Sequence, residues 1–389
     1  MKILIIFTIL FGSMFLHGAS FKNSNSMEID YADGTIKVKA HEKKGNATYM
    51  RLNTYNDISF EYFSITSTLN FTYLDERYSR AYNKIYPVES YFELSELAIN
   101  GYVTKDDVIT AGILTFKEGA FSEMQKIKAS QSDALMTLIY INMTGIFYTH
   151  HYDENKIQIG YAKRFGNDKI LSKNRYEHSV DESDIMFMFT NNVYGKHTFK
   201  TNIMHSHILY ESLSDKKNRP LGDLGLIGLG YSYNDLSESG YIGYGIIALS
   251  ATHFDGSLLS PTGKKFEYPN VANFSDEGQR IGYSSLIGIK KEYDNILFKK
   301  DFYLGAEHFY ASKYWISYVT DQSNFGYYTW GNLGNTYNIY TGVNINPTFK
   351  IGLNYQYQDI QYSKLGGGNS VKKVNDFTKG FYMNLNIRF

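Results

Sequence analysis

The chain has 389 residues, with 39 Lys plus Arg balanced by 39 Asp plus Glu, no cysteine, 36 Tyr and 26 Phe. Balanced charge gives no case for a strongly charged partner such as nucleic acid, and a chain without cysteine has no disulfide framework. Mean hydropathy is -0.34, and beyond the N-terminus no apolar run approaches the roughly 18 residues of a spanning helix.

The first element is not a strand. "MKILIIFTILFGSMFLHGAS" carries Lys2, an apolar stretch from Ile3 to Leu16, and the small residues Gly18, Ala19 and Ser20. This is the pattern of a secretory signal peptide, 1–20, removed after Ser20. No linker or shift in composition follows, so 21–389 reads as one domain, with 21–33 as a lead-in ahead of the strands. A polar hairpin comes next, "TIKVKAHE" (35–42) and "ATYMRLNT" (47–54).

From residue 59 onward the chain alternates. In "FSITSTLNFTY" Phe63, Ile65, Leu69, Phe71 and Tyr73 share a face; in "NKIQIGY" it is Ile157, Ile159 and Tyr161. "SDIMFMFT" presents Ile185, Phe187 and Phe189, and "RIGYSSLIGIK" presents Ile281, Tyr283, Ile287 and Ile289. "TFKIGLNYQYQ" sets Phe349, Ile351, Leu353, Tyr355 and Tyr357 against Lys350, Gly352, Asn354, Gln356 and Gln358. Period two predicts strands with one apolar and one polar face. No amphipathic helix longer than about a dozen residues is indicated.

The connectors alternate in length. Short ones hold turn residues: "TKDD" (104–107), "YDEN" (152–155), "VYGK" (193–196), "YNDLSES" (233–239), "YDN" (293–295) and "NP" (346–347). Long polar ones fall between them, near 76–90, 118–131, 166–182, 211–221, 254–279, 312–333 and 364–379. That regularity predicts strands running up and down with every long loop on one side. Fourteen strands follow residue 59, and the polar hairpin makes sixteen; fourteen remains the alternative.

With no helices to cover so many apolar faces, a soluble sheet would leave them in water. A closed barrel in lipid turns them outward and pairs every backbone group. The fold class is therefore all-β: a membrane-spanning antiparallel up-and-down barrel of 16 strands (alternatively 14). The chain ends in "FYMNLNIRF", with Phe381, Met383, Leu385, Ile387 and Phe389 on one parity. This resembles the C-terminal signature strand of Gram-negative outer-membrane β-barrel proteins, and the wider pattern is similar to general porins. The resemblance implies a bacterial outer-membrane location, with residues 21–33 on the periplasmic side. It also implies that those five residues are read by the barrel-assembly machinery and that lipid and lipopolysaccharide surround the barrel. Small solutes would be the cargo, and the porin pattern includes homotrimers.

The implied function is a passive channel for small hydrophilic solutes and ions, with no enzyme activity and no cofactor. The alternatives are a channel for hydrophobic compounds resembling long-chain fatty-acid channels, or an enzyme or adhesin on the same barrel. On the sixteen-strand count, 118–131 is the third long loop, which in trimeric porins folds into the lumen. Lys117, Glu118, Glu123, Lys126 and Lys128 are then candidates for the pore constriction. Lys156, Arg280, Lys350 and Arg388, on polar faces, are candidates for the pore wall. His205 and His207 in "MHSHI" share a face, but two histidines without a third ligand are not a metal site. Ser206 lies on the opposite face, against a local Ser–His pair. Gly225, Gly228 and Gly230 lack the following helix that a phosphate loop needs. No catalytic or metal-binding residue is assigned.

Overall fold

The computed structural model describes residues 20–38, 41–77, 89–118, 139–164, 184–212, 218–254, 278–297, 300–315, 318–319, 333–346, 348–363 and 372–389. Every regular element among them is a strand: β1 (Ser20–Val38), β2 (His41–Ser59), β3 (Phe63–Arg77), β4 (Glu89–Tyr102), β5 (Asp107–Glu118), β6 (Ile139–Tyr152), β7 (Asn155–Arg164), β8 (Asp184–Tyr194), β9 (His197–Ser212), β10 (Asn218–Asp235), β11 (Tyr241–Phe254), β12 (Gly278–Leu297), β13 (Lys300–Ala311), β14 (Tyr318–Val319), β15 (Gly334–Asn346), β16 (Phe349–Ser363) and β17 (Lys372–Arg388).

All seventeen join one sheet. Setting aside the two-residue β14, sixteen staves each pair antiparallel with their chain neighbours, and β1 pairs with both β2 and β17. The sheet is thus a closed barrel. Closure runs from Ser26↔Arg388 to Lys37↔Phe377. It is completed by Asn25 and Phe389, which exchange backbone hydrogen bonds of 2.9 and 3.0 Å. A closed ring leaves no free edge, which hydrocarbon requires.

Several boundaries differ from the sequence reading. Residues 21–33, expected as a lead-in, lie inside β1 and pair with β17 and β2; Met27, Ile29 and Tyr31 alternate there with Ser26, Glu28 and Asp30, a short strand pattern within a polar stretch. The first hairpin keeps its pairing as far as Val38 opposite His41, so residues 42–47 lie within β2 and are not its turn. "YDN" (293–295) lies within β12; the pairing with β13 shifts register after Tyr293 and resumes at Leu297↔Lys300. β10 begins at Asn218 and β17 at Lys372, shortening two of the expected long loops. The expected signal peptide lies outside the described residues except for Ser20, which opens β1. The other short turns fall on one end of the barrel. There Lys196 bridges Asp235 at 2.5 Å and Glu238 at 2.6 Å, tying the β8–β9 turn to the β10–β11 turn. Those two carboxylates hold its ammonium above the usual lysine range.

The outer surface has three bands. Its middle is aliphatic, with Ile146, Ile159, Ile203, Ile247, Ile287 and Ile339 all exposed. Toward the short turns lies an aromatic ring that includes Tyr148, Tyr152, Tyr194, Tyr231 and Tyr241. Toward the long loops lies a second, with Tyr161, Tyr283 and Tyr337. Polar anchors accompany both rings. Tyr148 donates to Asp107 at 2.6 Å, Tyr161 to Asp184 at 2.7 Å, and His207 Nδ1 lies 2.9 Å from Asp223. An apolar band between two aromatic girdles is the surface of a transmembrane barrel. Ile287, 65% exposed near the middle of β12, gives a direct check. Ile287→Lys should destabilise the barrel by about 2–4 kcal/mol in denaturant unfolding from lipid vesicles, whereas Ile287→Val should unfold almost as the parent does.

One face was assigned to the wrong side. Ile185, Phe187 and Phe189 of β8 point inward and are buried, while Met186 between them is 55% exposed to the outside. Register explains it: Phe187 lies opposite Gly160 on β7 and Met204 on β9, both inward. With Met at alternate positions, both faces of β8 are apolar, so alternation alone does not say which one meets lipid.

Candidate functional site

The interior of the barrel is the site to consider, and it has two chemistries. From β6 to β11 the inner wall is mainly apolar toward the long loops, with Ser206 and Ser250 among it, and carries Thr149, Lys200, Asn202 and Ser232 toward the short turns. Met143 and Phe147 on β6, Phe187 and Phe189 on β8, and Leu224 and Leu226 on β10 are all buried there. Phe147 and Phe187 close over Gly160 from the strands on either side, their ring centroids 5.2 Å apart. From β15 through β17 and β1 to β3 the inner wall is polar: Asn338, Asn354, Gln356, Asn384, Asp30 and Asn70, all buried as well. Asn354 Oδ1, Asn338 Oδ1, Asn386 Oδ1 and Thr72 Oγ1 on that side receive no hydrogen bond from the protein, and neither do Asn202 Oδ1, Ser206 Oγ and Gln158 Oε1 on the β6–β11 wall. Polar atoms out of contact with bulk solvent are normally satisfied by protein or by ordered water, so ordered water belongs beside both walls.

Between the halves, on β11 to β15, three tyrosines lie flat on the wall. Tyr244 covers Gly288, Tyr340 covers Gly305 and Tyr303 covers Gly342; a Cβ at any of these glycines would overlap the ring. Glycine on one stave makes room for the aromatic ring of the next. The Tyr244 hydroxyl donates to Glu307 and lies 3.2 Å from the Tyr340 hydroxyl, while Asn338 Nδ2 donates to the other Glu307 oxygen at 2.9 Å. A buried carboxylate is tolerable only with such donors. Next to this group Lys290 pairs with Glu292, its ammonium 4.8 Å from the Tyr303 ring centroid. Closer to the seam, Asn384 donates to both Asp30 and Glu28.

A segment from the β13–β15 connection enters the lumen. Ser312 extends the pairing with β12: its N–H donates to the Tyr283 carbonyl at 2.9 Å, and its Oγ accepts from the Tyr283 N–H at 2.8 Å. The chain then turns, with the Trp315 N–H bonded to the Ser312 carbonyl at 3.1 Å. The backbone of Tyr314 and Trp315 rests against Gly282, on the inner face of β12. Trp315 is fully buried at 0% exposure. Three residues on, β14 pairs parallel with Ile139–Tyr140 at the start of β6. That pairing lies beyond the last pair of β6 with β7, Met143↔Arg164.

The expected site residues fare unevenly. Lys156 faces inward, its ammonium 5.0 Å from the Phe189 ring centroid. Lys350 shares the inward parity of Gly352 and Asn354 and interacts electrostatically with Arg388 and Glu292. Arg388 ends β17 opposite Ser26. The side chains of Arg280, Lys117 and Glu118 lie outside the described set, as do residues Glu123, Lys126 and Lys128 altogether. The connection that carries them, between β5 and β6, is the third on the long-loop side. His205 and His207 face outward and Ser206 inward. Gly225, Gly228 and Gly230 lie within β10. Replacing His205 and His207 together should leave metal affinity, read by calorimetry, unchanged.

Sequence reading missed Glu307, Tyr244, Tyr303 and Tyr340. A signal existed: "YLGAEHF" carries a glutamate inside a strand, on the same parity as a glycine and a tyrosine. The inward segment has no such signal, being an irregular turn and two paired residues.

Solved structures with this architecture are distant in sequence. An anion-selective porin from Comamonas acidovorans superimposes with a TM-score of 0.51 at 11% identity, covering 95% of this chain and 100% of that one. OprB of Pseudomonas putida gives 0.56 at 11%, covering 95% and 94%. OmpF of Salmonella typhi, solved with daunomycin, gives 0.54 at 10%, covering 96% and 98%. The fold is therefore that of the outer-membrane porins. Among curated proteins nothing matches. A family model does match residues 116–386, most of the barrel, under the description "Protein of unknown function (DUF3373)", and the chain belongs to that family.

Proposed function

We propose that this barrel is an outer-membrane channel through which small hydrophilic solutes and ions diffuse passively. The observation that carries the reading is the polar inner wall of β15–β17 and β1–β3, where Asp30, Asn70, Asn338, Asn354, Gln356 and Asn384 point into the barrel. Amides and a carboxylate along one side offer a hydrophilic solute the hydrogen bonds it leaves behind in water. Lys350, Arg388, Glu292 and Asp30 would set the ion preference near the short-turn end, and the β5–β6 connection would add Lys126, Lys128 and Glu123 at the other. Lipid and lipopolysaccharide would surround the girdles, and Phe381 to Phe389 would be read during assembly. The purified barrel in a planar bilayer should give discrete conductance steps, and vesicles carrying it should swell in a small neutral sugar. A protein that inserts but gives neither would overturn the reading. The apolar inner wall of β6–β11 favours a second one, a passage for hydrophobic compounds. In that case apolar solutes would cross and the sugar would not.

A further inference from the structure

We propose that the segment formed by Ser312–Trp315 and β14 is a strap that sets the width of the pore. It would seal the β6–β12 side of the lumen into a dry lobe and leave a hydrated path along the polar wall of β15–β3. The inference rests on the channel reading and adds where, inside the barrel, the path runs.

Reach is the first argument. Trp315 sits on Gly282 of β12, and Tyr318 lies beside Ile139 of β6. Three residues of extended chain span at most about 11 Å. β12 and β6 are six staves apart along the wall, yet this short segment links them. The wall from β6 to β12 must therefore curl around a narrow space closed by the segment itself.

The second argument is chemistry. What lines that curl is mainly Phe147, Phe187, Met204, Leu226, Ile246 and Leu286, with the small hydroxyls of Ser206, Ser250 and Ser284 and the amide of Asn202 among them. Such a wall gains by excluding water, and packing against itself and an indole does so. The opposite wall is built almost wholly of amides and carboxylates, among them Asp30, Asn338, Asn354, Gln356 and Asn384. A hydrophilic solute would lose hydrogen bonds on the first wall and keep them on the second.

The third argument is that the strap's seat is built. Any side chain at position 282 would overlap the backbone of Tyr314 and Trp315, so glycine there admits the strap and nothing larger does. The two anchors are independent of each other: backbone contact at Gly282 and a parallel pair at Ile139–Tyr140.

The chain has no cysteine, so introduced thiols report on single positions. In the first experiment Gln356→Cys and Phe187→Cys are treated in vesicles with a small charged methanethiosulfonate. Gln356→Cys should react quickly and lower the current, while Phe187→Cys should stay unreactive until Gly282→Val is added. In the second, Gly282→Val should raise single-channel conductance roughly twofold or more. In the Gly282→Val background, a disulfide between Ile139→Cys and Tyr318→Cys, whose positions are cross-strand partners and within disulfide reach, should keep conductance near the parent value until it is reduced. If Gly282→Val fails to assemble, Trp315→Gly and the two single-cysteine reactivities test the same idea. Equal reactivity at 187 and 356, or conductance unchanged by Gly282→Val and Trp315→Gly in an assembled barrel, would overturn the strap. A parent barrel without conductance would overturn the channel reading instead, and the contrast between the two thiols would still report on the strap.

Discussion

Deletion of Leu385 to Phe389 should abolish barrel assembly. Those residues pair with Ser26–Ile29 on one side and with Phe349–Ile351 on the other. Arg388 and Phe389 add backbone bonds to Thr348 and Asn25. Removing them strips partners from both neighbours at once. Each backbone group left unpaired in the bilayer costs several kcal/mol, and a handful of them exceeds the roughly 5–15 kcal/mol that a folded domain has in total. The readout is the heat-modifiable, protease-resistant band of the folded barrel, expected to be absent. Phe389→Ser is the informative contrast. It keeps the main-chain bonds to Asn25 and removes only a side chain that is 66% exposed. Denaturant stability of the refolded variant should stay near the parent's, while its yield in the outer membrane falls. Equal loss in both measurements would mean that the aromatic ring serves stability and not recognition.

Gly305→Val should destabilise the barrel by about 3 kcal/mol, the upper part of the range for overpacking a filled interior. A Cβ at 305 would overlap the Tyr340 ring, and valine adds two methyl groups beyond it. Tyr340 cannot step aside freely, because its hydroxyl lies against that of Tyr244 and its ring near that of Tyr303. Displacing it disturbs the donors that keep Glu307 satisfied. The double variant Gly305→Val with Tyr340→Ala should recover part of the loss, so the cycle should show a coupling of roughly 1–2 kcal/mol between the two sites. Gly243→Ala provides the control, since a Cβ there would meet nothing within 4 Å. Unfolding in urea from lipid vesicles reads these three variants and the single variant Tyr340→Ala. Additive losses at 305 and 340 would show that the ring does not depend on the glycine beneath it.

Much of the architecture was legible because two repeating signals agree. Alternation over Phe349–Tyr357 or Ile281–Ile289 marks a strand and its lipid face, since isoleucine or tyrosine alternates with glycine, serine or glutamine. The alternating lengths of the connectors then give sixteen strands, with fourteen as the alternative, and the end that carries the short turns. Alternation fails where both parities are apolar, as in β8, and it reads weakly where few apolar residues carry it, as Met27, Ile29 and Tyr31 do in residues 21–33. There the register comes from the partner strands, which a single stretch of sequence does not contain. The interior was harder to read. Glu307 and its tyrosines converge from β11, β13 and β15, and the strap is too short to have a period. The charges of the β5–β6 connection stood out by composition, whereas the segment found inside the barrel comes from the β13–β15 connection.

The order of pairing around the ring bears on how the barrel comes together. Every stave but one pair lies beside its neighbour in the chain, so each hairpin can zip locally and quickly. The exception is the β1–β17 seam, where the hydrogen bond from Asn384 to Glu28 joins residues 356 apart. Closing a loop of that length costs about 5 kcal/mol of chain entropy in a flexible chain, and none of that cost is recovered until the last strand is in place. Before closure the sheet is an open ribbon with two bare edges, one at β1 and one at β17, each able to pair with a second copy. The seam is thus the slowest contact to form and the one whose delay exposes the chain to aggregation, and a chain of this topology gains most from an escort that holds those two edges apart from other chains until they meet.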